Sequence, residues 1–326
     1  MQAAVCHSYG PPESIVVGEL LAPMAETGKV LVRVAAAAVN FPDVLLVADQ
    51  YQMSVPTPFV PGSEFAGVVV EVGDGITAVA AGDRVAGTGL VGAFAELVSA
   101  SAEALTPVPD GVDLASAAAF GVAHRTAWHV LRSVARIQPG DDLIVLGAGG
   151  GVGLAAVQLG AHLGATVTAV ASSPEKLAAA ESHGAQYLVN HRDGDLRAAL
   201  RAVLPGGADA VVDPVGGDVA EPALRALRWG GRFVTVGYAS GTIPRIPLNL
   251  VLLKGVQVLG FQFLSFATHA PDELRRNEEE LLALFAAGKV APHIGRTFPL
   301  ADTAAALRHV ADGRAIGKVV IEIRTS

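Results

Sequence analysis

The chain of 326 residues has little cysteine, few aromatic side chains and little charge, and each shortage excludes something. Cys6 is the single cysteine, so an intrachain disulfide and a cysteine-rich metal site are both excluded. We predict that Cys6 is an ordinary buried residue. Aromatic residues make up 5% of the chain and charged residues 17%, whereas hydrophobic residues make up 51%. A chain of this length and composition can bury a large core, which excludes global disorder.

Long apolar runs and an excess of positive charge are also missing. No run reaches the roughly 18 consecutive apolar residues of a membrane-spanning helix. The first residues lack the basic and apolar regions of a secretory signal. The chain has 23 basic and 31 acidic residues and a formal charge of −8, which disfavours a nucleic-acid surface. We therefore expect a cytoplasmic protein with neither a nucleic-acid nor a membrane partner.

The spacing of hydrophobic residues changes along the chain from a pattern typical of strands to one in which strands and helices alternate. The first third has strand candidates at 30–34, 65–72, 84–86 and 94–98, which predict a small barrel-like β domain. From Asp113, which can cap a helix, helical patterns cover 114–120 and 127–134. Strands at 143–146, 166–171, 187–189, 210–212 and 232–236 then alternate with helices at 152–163, 174–183, 196–203 and 219–227. These repeated units predict a doubly wound parallel sheet. Two charged helices at 272–287 and 302–311 precede a terminal strand at 318–323.

The 37 glycines are densest between the first strand of that sheet and the helix after it. Such a turn lets the backbone approach a pyrophosphate, and the free N–H groups and dipole of the following helix bind the negative charge. We therefore predict a dinucleotide site that includes Gly150, Gly151, Val152 and Gly153.

The residues after the second strand indicate which dinucleotide binds. An acidic residue about 20 positions past the glycines would bind the ribose hydroxyl of NAD, but Ser172 stands 19 positions past Gly153. The Ser172 hydroxyl, with Lys176 one helical turn further on, can accept a 2′-phosphate, which points to NADPH. Glu175 remains an alternative ribose ligand of an NAD site, and Lys176 can also be read as a solvated helix residue.

Several short stretches together resemble the medium-chain dehydrogenase/reductase superfamily, and specifically its zinc-free quinone oxidoreductase (zeta-crystallin-like) branch. The stretches are VNFPD at 39–43, VPGSEFAG at 60–67, GDRV at 82–85, GGGVG at 149–153, VGYASG at 236–241 and GKVV at 317–320. The resemblance covers essentially the whole chain. It implies a GroES-like β-rich catalytic domain at 1–122, a Rossmann NADPH-binding domain at 123–262 and a C-terminal return to the catalytic domain at 263–326.

The resemblance also bears on metals and on the reaction. Zinc alcohol dehydrogenases of the superfamily have a cysteine in the place of Asn40 and a histidine in the place of Ser63, so we expect no zinc. We interpret His124 and His129 as structural. Without a Lewis acid the chemistry suits quinones or alkenes conjugated to a carbonyl, to which the nicotinamide gives a hydride.

By resemblance, Asn40 and Tyr51 are the candidate catalytic residues. Asn40 can also be a turn residue and Tyr51 a loop aromatic. Asp43 is interpreted as a helix cap and Glu64 as a supporting residue. The resemblance further implies a set of cofactor contacts, several of which also have an ordinary structural interpretation. They are Thr126, Gly150, Gly151, Val152, Gly153, Ser172, Lys176, His191 (with Arg192, in place of a family tyrosine), Gly237, Tyr238, Phe261 and Phe263.

Two alternatives to a quinone or enone reductase stay open. One is a 2-enoyl-CoA reductase, for which Arg245, Arg275 and Arg276 would help to bind the CoA phosphate. The other is a non-catalytic, NADPH-binding crystallin-like or sensor protein. From the family we also expect a homodimer, with the apolar stretch at 251–263 as a candidate surface.

Overall fold

The computed structural model describes residues 1–323. Its contacts divide the chain into two compact units. Met1–Val122 and the segment from Ala291 onward form the first unit, and Ala123–Val290 form the second. The second unit is therefore inserted between two parts of the first. Within the described residues, no helix is both long and apolar enough to cross a membrane.

The first unit consists mainly of strands. Its strands are β1 (Gln2–Cys6), β2 (Ile15–Glu19), β3 (Lys29–Val39), β4 (Glu64–Val72), β5 (Arg84–Thr88), β6 (Leu97–Ser101), β7 (Leu105–Pro107), β14 (Ile294–Pro299) and β15 (Lys318–Glu322). Its helices are α1 (Phe41–Val47), α10 (Thr303–Ala311) and the first part of α2 (Leu114–His129). The strands of the main sheet pair in the order β14-β15-β3-β4-β5-β7, and β6 also pairs with β3. β3 is therefore hydrogen-bonded to three strands, β15, β4 and β6.

The alanine-rich stretches of the sequence explain how α2 meets this sheet. Small side chains allow the helix to pack closely on the strands, and one buried cluster consists largely of alanines. Its members are Ala36, Ala38, Ala66, Ala117, Ala118, Ala119 and Val320. The larger core on the other side of the sheet contains Phe65 and Phe94, and Cys6 is buried there as an ordinary core residue, as predicted.

The second unit is built around a six-stranded parallel sheet. Its strands are β8 (Asp142–Leu146), β9 (Thr166–Ala171), β10 (Tyr187–Asn190), β11 (Ala208–Asp213), β12 (Leu227–Thr235) and β13 (Gln257–Gly260). Its helices, after the end of α2, are α3 (Gly151–His162), α4 (Pro174–Ser182), α5 (Leu196–Val203), α6 (Ala220–Ala226), α7 (Leu248–Lys254), α8 (Phe263–His269) and α9 (Pro271–Ala286).

The order of these strands is β10-β9-β8-β11-β12-β13, and every neighbouring pair is parallel. This order reverses between β8 and β11, so the predicted doubly wound sheet is confirmed. In such sheets a ligand binds outside the carboxyl ends of the strands, at the point of reversal. The glycine-rich turn follows β8 and therefore lies at that point.

Several predicted elements have other bounds in the structure. The strand predicted at 94–98 begins at Leu97, because Phe94 instead accepts a backbone hydrogen bond from Ala4. The two helices predicted between 114 and 134 form one helix, α2, which continues into a π-helical segment at Val130–Val134. By its contacts the segment at 263–290 lies with the second unit, where α9 buries Asn277 against His129. The predicted domain boundaries stay a prediction.

Candidate functional site

The glycine-rich turn leads directly from a buried strand into a helix. Gly147 adopts a positive φ of 59°, and its carbonyl accepts the N–H of Gly150 at 2.9 Å. Gly150 is the N-cap of α3. The N–H groups at Gly151, Val152 and Gly153 therefore belong to the first turn of a helix, where no intrahelical acceptor exists. These donors and the helix dipole form an anion site.

Two of the glycines are required by close contacts. A Cβ on Gly153 would overlap the carbonyl oxygen of Gly147, so α3 can approach the turn only without a side chain there. A Cβ on Gly149 would lie 2.5 Å from the Cβ of Lys176. The aliphatic stem of Lys176 therefore lies directly against the turn. This contact connects the glycine-rich turn after β8 with the residues after β9.

Positive groups are concentrated beside the turn. Lys176 Nζ donates a hydrogen bond to Ser172 Oγ at 3.4 Å. Burial and the nearby charge of Arg192 both lower the pKa of Lys176. Burial, Arg192 and Lys176 likewise lower the pKa of His191. The cluster thus places the side chains of Lys176, Arg192 and His191 close together beside the turn.

The position of Glu175 does not favour it as the alternative ligand of a ribose hydroxyl. It is exposed in the first turn of α4, and a hydrogen bond from the Ser173 side chain lowers the pKa of its carboxyl. His191 lies at the adjacent strand end, where its N–H donates to the carbonyl of Ala171 at 3.1 Å. The structure therefore brings together Ser172, Lys176 and His191 and leaves Glu175 at the surface.

The remaining cofactor candidates of the second unit lie in two places. Gly237 and Tyr238 follow β12 and Phe261 follows β13, so these three share the carboxyl edge of the sheet with the glycine turn. Phe263 begins α8 next to them. Thr126 instead lies on α2 and is half-buried.

Sequence reasoning missed Asp213, which ends β11 at the same edge. Its Oδ1 accepts the N–H groups of Val215 and Gly216, each at 2.8 Å, and burial raises its pKa. Its other carboxylate oxygen is buried and has no hydrogen-bond partner within the described residues. The sequence feature that could have identified Asp213 is an acidic residue at the end of an apolar, buried strand.

The histidine pair interpreted as structural is indeed packed into the second unit. His129 is fully buried, and its Nε2 and Nδ1 lie 2.9 Å from Glu278 Oε1 and 3.0 Å from the Asn277 amide. Phe261 stacks on the His129 ring with a centroid distance of 6.2 Å. His124 pairs with Gln158 at 3.2 Å. These contacts join α2 to α9 and to α3 rather than forming a metal site.

The first unit contains a second polar cluster, around Asn40. Asn40 Nδ2 donates to Glu64 Oε1 at 2.9 Å and to Ser63 Oγ at 3.2 Å, while its Oδ1 accepts from Lys318 Nζ at 2.6 Å. Lys318 Nζ also pairs closely with Glu64 Oε1. The second oxygen of Glu64 accepts the N–H of Val122 at 2.7 Å. Both oxygens of Glu64 and the Lys318 ammonium thus have hydrogen-bond partners.

Asp43 completes this cluster from the first turn of α1. Its Oδ2 accepts the backbone N–H of Asn40 at 2.7 Å, which confirms the interpretation of Asp43 as a helix cap. Burial raises the pKa of Asp43 to about 7, although hydrogen bonds from Asn40 and Ser63 and the charge of Lys318 act in the opposite direction. Asp43 therefore changes its charge near neutral pH.

Of the two predicted catalytic residues, only Asn40 belongs to this cluster. Tyr51 lies beyond the C-terminus of α1 and is half-buried. Sequence reasoning gave no role to Lys318, although GKVV was among the stretches that carry the family resemblance. The signal was a lysine at the start of an otherwise apolar strand, where a buried charge needs a partner.

Comparison with known proteins identifies the family. Residues 26–110 match the family model "Alcohol dehydrogenase GroES-like domain", and residues 151–285 match "Zinc-binding dehydrogenase". A quinone oxidoreductase-like protein 2 from Bos taurus is 36% identical over 325 residues, which cover 99% of this chain and 93% of that protein. The chain therefore belongs to the medium-chain dehydrogenase/reductase superfamily and to its quinone oxidoreductase-like members, as the sequence predicted.

Solved structures agree on the fold. The Escherichia coli quinone oxidoreductase in complex with NADPH has a TM-score of 0.91 and 26% identity, with 99% of this chain and 100% of that chain covered. An NAD-dependent alcohol dehydrogenase reaches a TM-score of 0.88 at 30% identity, covering 99% and 100% of the two chains. Both cofactors thus occur on this fold, so the choice between them depends on local residues.

The description of the second family model raises the question of zinc, and the residues present do not fit it. Structural and catalytic zinc is held by thiolates, imidazoles and carboxylates. Here Asn40 directs its NH₂ group at Ser63 and Glu64, and both oxygens of Glu64 already accept hydrogen bonds. The Lys318 ammonium lies between Asn40 and Glu64. Among the described residues, no three His, Cys, Asp or Glu side chains are grouped to hold a metal ion.

The raised pKa of Asp43 predicts how stability depends on pH. The folded pKa is about 7 and the unfolded value is near 3.8, so folding favours the neutral acid. The stability from this group is complete below about pH 4 and is lost as the pH rises towards 7. Asp43→Asn removes the titration, and we expect its advantage over the wild type to grow by on the order of 4 kcal/mol between pH 4 and pH 8.

Urea unfolding at half-unit steps of pH measures this difference. Asp110→Asn, a change at an exposed acid in the same unit, is the control and should leave the pH dependence unchanged. Parallel profiles of the wild type and Asp43→Asn would show that Asp43 does not titrate in this range.

Proposed function

We propose that this protein is an NADPH-dependent oxidoreductase that reduces quinones or α,β-unsaturated carbonyl compounds without zinc. The observation that carries the cofactor choice is the cluster of Ser172, Lys176, His191 and Arg192 beside the glycine turn. Burial and then the charge of Arg192 lower the pKa values of Lys176 and His191, and a bound 2′-phosphate would oppose both effects by favouring the charged forms. A ribose hydroxyl would not, because it has no negative charge.

The reaction follows from the chemistry of the cofactor and of such acceptors. Bound NADPH supplies a hydride, which carries two electrons. The hydride adds to the electrophilic carbon of the acceptor, and the displaced π electrons move to the carbonyl oxygen. A proton from solvent completes the product. The protein must therefore hold the pyrophosphate at α3, select the 2′-phosphate and offer a hydrogen-bond donor to the oxygen that gains charge.

The polar cluster around Asn40 supports zinc independence. A catalytic metal would need several thiolate, imidazole or carboxylate ligands and one coordination position left for the substrate. The Asn40 amide and the Glu64 carboxylate are instead bonded to the Lys318 ammonium. Quinones and enones suit such a site, because they delocalise the incoming charge themselves.

The structure gives less support to a 2-enoyl-CoA substrate. Arg275 and Arg276 pair with Asp272 and Glu273 of their own helix, at 2.9 and 3.8 Å. Arg245 is exposed. No continuous basic groove for a CoA phosphate follows from these three residues.

Turnover with a panel of acceptors tests the reaction. We expect NADPH oxidation in the presence of 1,4-benzoquinone or a small enone, measured by the absorbance of the reduced nicotinamide, and slower oxidation with crotonyl-CoA. Faster oxidation with crotonyl-CoA would favour the thioester reductase. Tight NADPH binding without turnover of any acceptor would instead favour a non-catalytic NADPH-binding protein.

The cofactor preference is tested at Lys176. A charge-assisted hydrogen bond to phosphate contributes about 1.5–3 kcal/mol. Lys176→Ala should therefore raise the Kd for NADPH about 10- to 100-fold and that for NADH less than about threefold. Lys289→Ala, at an exposed lysine of the same unit, is the matched control. Equal losses for the two cofactors would contradict the assignment of Lys176 to the 2′-phosphate.

We also propose that the protein is a homodimer joined through the edge of the parallel sheet. β13 is the last strand of that sheet. Val258 on β13 is 45% exposed, and Leu252 and Leu253 of the preceding helix are 81% and 71% exposed. An unprotected apolar edge strand of this kind pairs readily with a second copy.

A charge on the edge strand tests the dimer. Val258→Lys should convert a dimer of the wild type into a monomer, as measured by light scattering during size-exclusion chromatography. Leu21→Lys places the same charge at a residue that is 96% exposed in the first unit and should leave the dimer intact. A monomeric wild type would refute the proposal, as would a dimeric Val258→Lys variant.

A further inference from the structure

Asp213 is fully buried at the carboxyl end of β11 and takes no part in the proposed reaction. Its Oδ1 accepts the N–H groups of Val215 and Gly216, each at 2.8 Å, so one carboxylate oxygen fixes the loop that follows the strand. Its Oδ2 is buried and has no hydrogen-bond partner within the described residues. Within the part of the chain that the structure describes, the Asp213 side chain therefore hydrogen-bonds only its own loop.

The loop that Asp213 fixes lies directly against the glycine-rich turn. A Cβ on Gly147 would be 2.6 Å from Val215 Cγ2, which means that the Val215 side chain covers the Cα of Gly147. The Gly147 carbonyl accepts the N–H of Gly150 at 2.9 Å, and a Cβ on Gly153 would overlap the same carbonyl oxygen. Val215 thus packs, from the side of β11, on the residue that positions the first turn of α3.

The same loop is also joined to the loop after β12. The Asp213 carbonyl accepts the N–H of Val236 at 2.8 Å, and the Val215 carbonyl accepts the N–H of Ser240 at 3.0 Å. The predicted cofactor contact Gly237 lies between these two donors in the sequence. The loops after β11 and β12 therefore form one hydrogen-bonded layer beside the glycine turn, and Asp213 lies at its base.

A turn cap with no influence on the cofactor is the competing explanation. Aspartate and asparagine both close turns of this kind by accepting backbone N–H groups. The two explanations agree that the loop depends on Asp213, and they differ in whether the loop matters for the anion site. Gly147 has no side chain with which to pack, so its position depends on the contacts that neighbours make with it. The contact from Val215 therefore favours a role of the loop at the anion site.

We propose that Asp213 is a positioning residue for the cofactor, which acts through Val215 to hold the glycine-rich turn in the conformation that binds the pyrophosphate. The hydrogen bonds of Asp213 fix Val215, and Val215 fixes Gly147. Gly147 then fixes the N–H groups at the start of α3, so that the anion site is ordered before the ligand arrives. This inference rests on the proposed function, because the pyrophosphate is that of NADPH.

Binding of NADPH to Asp213 variants provides the first test. Asp213→Ala removes both hydrogen bonds to the loop, so we expect the Kd for NADPH to rise about fivefold or more. Asp213→Asn keeps an acceptor oxygen and should retain this Kd within about twofold. The Kd is measured by fluorescence titration of the reduced nicotinamide, on protein that circular dichroism shows to be folded. Equal Kd values for Asp213→Ala and the wild type would overturn the inference.

A fragment of the cofactor separates positioning of the turn from a general loosening of the second unit. Adenosine 2′-phosphate carries the group that we assign to Ser172 and Lys176, but it has no pyrophosphate. Asp213→Ala should change its Kd less than about twofold, because distant sites act independently. A loss of packing throughout the unit would weaken both ligands alike. Parallel losses for NADPH and adenosine 2′-phosphate would therefore contradict the positioning role.

Val215→Ala tests the same path with a milder change, which keeps the test valid if Asp213→Ala does not fold. Val215 is half-buried, and loss of its contact with Gly147 should raise the Kd for NADPH about fivefold. Val203→Ala, at a half-buried valine that packs on the same core, is the matched control and should leave the Kd unchanged. An unchanged Kd for Val215→Ala would overturn the inference.

The double variant shows whether the two residues act through one contact. Added to Val215→Ala, Asp213→Ala should raise the Kd for NADPH less than about twofold further. Full additivity would mean that Asp213 does not act through Val215. A wild type that does not bind NADPH removes the proposed function and this inference with it. A wild type that binds NADPH, with variants that bind it equally well, removes only the inference.

Discussion

The antiparallel pairing of β15 with β3 is the interaction that joins the two parts of the first unit across the inserted second unit. It brings Lys318, which begins β15, to Glu64, which begins β4 and is 1% exposed. An unpaired carboxylate at Glu64 would be very unfavourable, and Lys318 is its cationic partner among the described residues. Lys318 also hydrogen-bonds the Asn40 amide at the start of α1.

The second unit is governed by a different constraint, the common direction of its strands. Because all six strands are parallel, their carboxyl ends share one edge, and residues far apart in sequence meet there. The glycine turn, Ser172 with Lys176, His191, and Gly237 follow four different strands. The common direction of the strands thus brings four loops to one edge of the sheet. Close approach of Gly149 to Lys176 then joins two of these loops directly.

Much of this could be predicted from the sequence, for identifiable reasons. The helix predicted at 196–203 has the observed bounds, and the parallel sheet follows from a regular alternation of short apolar runs and amphipathic segments. The glycine turn and Ser172 are local features whose spacing along the chain has direct meaning. In contrast, Lys318 and Glu64 are 254 residues apart, and no local pattern indicates that a charge at one end of the chain pairs with another near the start.

The two lysines that matter most illustrate how the same side chain acquires opposite roles. Lys176 is half-buried, and burial and the nearby charge of Arg192 lower its pKa. Lys318 is buried and bonded to a carboxylate and an amide oxygen, so its charge is balanced inside the protein. A lysine that lies beside another positive charge and a helix N-terminus is suited to bind an anion, as we propose for Lys176. Lys318 instead satisfies a carboxylate that could not otherwise be buried.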